Sequence, residues 1–83
     1  MSKHYQCFPG LDGCGPRIAV KRDIIDSFEP DDYLRFMESM KKLCMWGGPS
    51  GSNPETYMWE FPDGINYAKA IVILRTSGFM AER

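Results

Sequence analysis

Eighty-three residues, 43% of them hydrophobic and 13% aromatic, suffice for one small core, leave no room for a second, and are too apolar for a disordered chain. Ten Lys and Arg against eleven Asp and Glu leave a formal net charge of −1. The two signs are interleaved from end to end, which weighs against the one-sided basic or acidic surface of a nucleic-acid binder or a DNA mimic.

The first ten residues, MSKHYQCFPG, lack the apolar stretch of a signal peptide. No segment approaches the ~20 apolar residues that cross a bilayer. The chain is therefore expected in the cytoplasm, away from membranes, with its three cysteines reduced.

Taken in order, residues 1–16 are punctuated by Pro9, Gly10, Gly13, Gly15 and Pro16 and read as an irregular N-terminal arm. Residues 17–25 then alternate, with Ile18 and Val20 separated by polar or small side chains and followed by Ile24 and Ile25, which predicts a strand. Arg17, Lys21 and Arg22 fall in this stretch, and a solvated strand face accounts for them as readily as a basic patch does.

A helix is predicted over 30–46. Pro30 suits the first helical position, Asp31 and Asp32 complement the positive end of the dipole, and Lys41 and Lys42 the negative end. Tyr33, Phe36, Met37, Met40 and Cys44 recur at spacings of three and four, one apolar stripe. Gly47 or Gly48 can end the helix in the left-handed conformation. Residues 47–54, within GGPSGSNPE, are turn chemistry and predict a flexible loop.

Residues 55–75 read as a hairpin. Tyr57, Trp59 and Phe61 alternate with Thr56, Met58 and Glu60, Pro62-Asp63-Gly64 supplies a turn, and INYAKAIVILRT can pair back. Ala68 and Ala70 would also permit a helix there, but Ile71, Val72 and Ile73 weigh toward strand, so both readings stay open. Residues 76–83 form a tail. The whole is an α+β domain: a small antiparallel sheet of about three strands, including a C-terminal hairpin, packed against one amphipathic helix.

HYQCFPGLDGCG, residues 4–15, gathers the only histidine and two of the cysteines. His4, Cys7, Cys14 and Cys44 make the four ligands a zinc site needs, but structural zinc is held by two close pairs, and this spacing supplies at most one. A glycine-rich loop is the preferred reading, with no metal and no cofactor. Cys44 on the helix stripe is a small core hydrophobe. Catalysis is not expected: a nucleophile needs a base in reach, and His4 stands in an irregular segment. Asp31 and Asp32 are explained by the helix start, and GGPSGS lacks the Lys-Ser/Thr of a phosphate-binding loop.

Recognition of another protein remains. Trp46, Tyr57, Trp59 and Phe79 are the side chains expected at an interface, unless they build the core, with Trp46 the foremost because it ends the helix beside a loop. The sequence thus predicts a non-catalytic protein-binding module that modulates or inhibits a larger partner, a description that suits an accessory protein of viral or mobile-element type. Two alternatives stand beside it. One is a zinc-stabilised module contacting nucleic acid. The other is a self-associating structural protein pairing through the hairpin's free edge.

Overall fold

A computed structural model describes residues 3–10 and 13–81. Eight elements follow in order: β1 (Lys3–Phe8), β2 (Arg17–Lys21), α1 (Arg22–Asp26), α2 (Pro30–Leu43), β3 (Trp46–Pro49), β4 (Thr56–Glu60), α3 (Gly64–Thr76) and β5 (Phe79–Ala81). The strands make one sheet in the order β3-β4-β2-β1-β5. All neighbours are antiparallel except β1 and β5, which run parallel.

The class is α+β, and the sheet is larger and mixed. Register decides its two faces, because alternate residues of a strand point to opposite sides. Tyr5, Ile18, Val20, Trp59 and Phe79 fall on one face and are buried with Phe36 and Met40 of α2 and Ala70 and Leu74 of α3. Phe36 links the layers, its ring edge-on to Trp59 at 5.8 Å and stacked on Phe79 at 5.5 Å. No polar side chain is buried among the described residues. The opposite face, with His4, Gln6, Arg17, Lys21, Thr56, Met58 and Glu60 along its strands, is left without a covering helix.

α2 starts and stops as its sequence dictates, with Pro30 in the first turn, Asp31 and Asp32 beside it, and Lys41 and Lys42 in the last turn. It ends at Leu43, three residues short of the predicted Trp46, because the Cys44 backbone is extended and Trp46 enters a strand.

Five further expectations are corrected. The arm at 1–16 contains a strand: Tyr5 is buried against Val20, and Lys3–Phe8 pairs with β2 on one side and β5 on the other. Of that arm, residues 1, 2, 11 and 12 lie outside the described residues, as do 82 and 83 of the tail. The strand expected at 17–25 stops at Lys21, and Ile24 and Ile25 enter the core from the short helix α1. The expected loop at 47–54 contains most of β3. The expected hairpin at 55–75 is a strand followed by a helix, and the expected tail contributes β5.

The helix at α3 has a local cause and a tertiary one. Asp63, expected in a turn, is its N-cap: the Oδ1 atom accepts from the Asn66 backbone N–H at 2.8 Å and from Asn66 Nδ2 at 3.1 Å, satisfying a donor of the first turn. Tyr67, Ala70, Ile71 and Leu74, spaced at three, four and seven, all contact the core. Burial of that face outweighs the strand preference of Ile71-Val72-Ile73. Gly78, at φ +92°, closes the helix in the left-handed conformation and turns the chain into β5.

Candidate functional site

β3 is the least strand-like element by composition, WGGP, and its contacts explain each residue. A Cβ on Gly47 would lie 2.7 Å from Trp59 Cδ1, so only glycine lets the strand pass over the buried indole. A Cβ on Gly48 would meet the Trp46 ring at 3.5 Å, which places that indole along the strand above Gly48. The Ser50 N–H donates to the Thr56 carbonyl at 2.8 Å, in register with the pairing of Gly48 to Met58.

Bonded and non-bonded pairs alternate in an antiparallel ladder. Gly47 and Pro49 therefore occupy non-bonded positions, and their backbone polar groups face the sheet's free edge. Pro49 has no N–H to present there, so it costs no ladder bond and blunts the edge.

Between this edge and α2 runs a cleft of about 630 Å³. Met37, Cys44, Tyr57 and the edge of Trp59 form its base and Leu34 and Met45 its rim, while Trp46 bounds it at the start of β3 with its ring turned to the uncovered face over Gly48. Leu34 and Met45 are each 58% exposed and Trp46 51%, far more than α2's inward residues. The charges on the rim, Glu38 and Lys41, have opposite sign, so the cleft has no strong field of its own and selects by apolar contact.

Burial raises the Cys44 thiol above its ordinary value, against smaller lowering effects from backbone hydrogen bonds and Lys41. Its Sγ donates to the Lys41 carbonyl at 3.8 Å. A thiol kept protonated is a poor nucleophile. Burial likewise raises the Tyr57 phenol, helped by Tyr33 and Cys44. The cleft can hold an apolar side chain, and burial holds its thiol and its phenol toward their protonated forms.

Of the four aromatics expected at an interface, Trp59 and Phe79 are 2% and 3% exposed and belong to the core. Tyr57 is half-buried in the cleft, and Trp46 bounds it through the start of β3 while its ring lies over Gly48 on the uncovered face. Sequence reasoning missed Leu34 and Met45. Leu34 carried a signal, being a large apolar residue one position off the stripe of α2, with Glu38, Lys41 and Met45 continuing its own face at spacings of three and four.

The candidate zinc ligands do not converge. His4 and Cys7 are three residues apart on one strand, so they project from opposite faces of the sheet. Cys44 is the C-cap of α2, in the helical layer. Among the described residues no three His, Cys, Asp or Glu side chains gather where a metal ion could sit, and no described helix is long and apolar enough to cross a membrane. Comparison with family models, curated proteins and solved structures finds no match for this chain, so its function has to be argued from its own geometry.

Proposed function

We propose that this chain is a non-catalytic protein-binding module that modulates or blocks a larger cytoplasmic partner, engaging it through the cleft between α2 and β3. The observation that carries the reading is a cleft with Leu34 and Met45 on its rim, each more than half exposed, beside an unpaired strand edge that ends in the equally exposed Trp46. Large apolar side chains gathered at a groove mark interaction surfaces, whereas the same residues scattered singly would mean little.

The occupant is an extended segment of the partner lying along β3. Such a segment can take up the Gly47 backbone groups and drop an apolar side chain into the cleft, the mode in which main-chain bonds give affinity and alternate side chains give specificity. Pro49 keeps the pairing short, which disfavours open-ended strand addition between copies of the chain and places self-association second. Cys7, Cys14 and Cys44 are free thiols, in keeping with a reducing compartment.

The test is capture from host lysate with wild-type bait, with Leu34→Asp and Trp46→Ala, and with Ile65→Ser as a control on the distant surface of α3, each verified as folded. A protein retained by wild type and by the control but lost from both cleft variants is the expected result. A partner held equally by all four baits, or none specific to wild type, overturns the reading.

A further inference from the structure

The uncovered face of the sheet contains a depression walled by hydrogen-bond donors, remote from the cleft and sharing no residue with it. The register that pairs Tyr5 with Val20 puts His4 beside Lys21, and Lys21 is paired with Thr56. These three side chains form one row across β1, β2 and β4, with neighbours about 5 Å apart at Cβ. Gln6 stands in the next row opposite Ala19, and Asn53 closes the wall from the β3–β4 connection. The cavity has a volume of about 240 Å³. Its floor is low because Ala19 occupies the centre of the sheet, where a longer side chain would fill it.

The chemistry of the wall is one-sided. Lys21 brings a fixed positive charge, His4 a ring N–H, Thr56 a hydroxyl, and Gln6 and Asn53 amide N–H groups. Asn53 Oδ1 is already occupied, accepting from the Glu55 N–H at 3.1 Å, which leaves its amide nitrogen as the available group. No carboxylate lines the cavity; Asp23, Asp26 and Glu55 line an adjoining depression that shares Lys21, Asn53 and Thr56 with it and also holds Arg22. The one ion pair among the described residues joins Asp32 and Arg35 on α2, so Lys21 is not engaged by it.

We propose that this depression binds the phosphate group of a small phosphorylated compound. Donors arriving from three strands and a turn suit a tetrahedral oxyanion, which accepts from several directions, and a lysine serves such a group as a point charge. The cavity is smaller than the about 300–1,000 Å³ of sites for drug-sized ligands, which limits the compound to a phosphate with a few carbon atoms. No Phe, Tyr or Trp lines it, so a nucleotide base would find nothing to stack on.

The experiment is an NMR titration of the full chain with inorganic phosphate and with glycerol phosphate, at constant ionic strength against chloride. Saturable shifts confined to His4, Gln6, Lys21, Asn53 and Thr56 are expected. Lys21→Met, on an exposed strand position, should weaken binding about tenfold or more, the weight of one charge-assisted hydrogen bond. Ala19→Leu should do the same by filling the floor while keeping all five donors; if it fails to fold, Lys21→Met decides alone. Shifts that never saturate and spread over the exposed lysines overturn the proposal, as does unchanged affinity in Lys21→Met. A phosphoserine peptide that binds more tightly than glycerol phosphate overturns the assignment to a small compound.

Discussion

Gly47→Ala should destabilise the protein through a single contact. The added Cβ would stand 2.7 Å from Trp59 Cδ1 and 3.2 Å from its Nε1, whereas carbon atoms rest about 3.5–4.0 Å apart. The gap must open by roughly 1 Å. The indole cannot yield cheaply, since Trp59 is 2% exposed and packed against Phe36 at 5.8 Å and Tyr57 at 4.9 Å. Overpacking of this kind costs about 1–3 kcal/mol, and replacing glycine in a strand returns roughly 0.5–1 kcal/mol. At the midpoints of these ranges the net loss is about 1 kcal/mol, and at 4–8 °C per kcal/mol for a domain of this size the melting temperature should fall by roughly 4–8 °C. Thermal denaturation followed by circular dichroism measures it. Gly51→Ala is the control, because nothing lies within 4 Å of its Cβ position, and it should stay within about 0.5 kcal/mol of wild type. A Gly47→Ala protein melting within roughly 2 °C of wild type would refute the claim that the indole fixes glycine here.

Gly15→Ala should be more damaging, because its Cβ would overlap the Phe61 carbonyl oxygen and backbone cannot turn aside as a side chain can; loss of the Phe61 N–H bond to the Pro16 carbonyl, now 2.9 Å, should appear as fast amide exchange at Phe61. Asp63→Ala should cost about 0.5–2 kcal/mol by removing the cap of α3, measured by denaturant unfolding, with Asp63→Asn close to wild type. Burial, and then the hydrogen bond and charge of Cys7, push the Tyr67 phenol from 10.0 up to about 12. Its folded pKa lies above the unfolded one, so this stabilisation is complete below pH 10 and declines as pH rises toward 12, the unfolded state losing its proton first. Ultraviolet titration of the four tyrosines should show Tyr67 ionising at about 12 and Tyr57 also above an ordinary phenol, and Cys7→Ala should lower the Tyr67 transition without returning it to 10.0, since burial is the larger cause.

α2 was legible because every local signal agreed: Pro30, the acidic first turn, the basic last turn and a stripe from Phe36 to Met40 that the structure buries. Elements decided by contact were not. Ile71-Val72-Ile73 prefers a strand by propensity, yet the same run carries a helical face at Tyr67, Ala70, Ile71 and Leu74, and in the folded chain that periodicity outweighs the branched triplet. Asp63 fits a turn and a helix cap equally well until the following residues are known to be helical. β3 lay beyond sequence reasoning altogether. Two glycines and a proline argue against a strand, and the reason they form one is the Trp59 ring that β4 holds beneath Gly47.

The two surfaces to which function is assigned show the same division. Trp46 could be picked out because it follows an amphipathic helix and is too large to be left unexplained. Its companions Trp59 and Phe79 share its chemistry and differ only in the face of the sheet on which register places them. His4 is the sharper case. Read along the chain it belongs with Cys7 and Cys14, and proximity in sequence invites a metal. Pairing of β1 with β2 breaks that association, because three residues of strand separate His4 from Cys7 by an odd number and so by the thickness of the sheet. The same pairing brings His4 beside Lys21, 17 residues away in sequence, and through β4 to Thr56. The chain's only histidine changes neighbours, from two soft thiols to a cation and a hydroxyl, and with them the chemistry of the ligand it could meet, from a metal ion to an oxyanion.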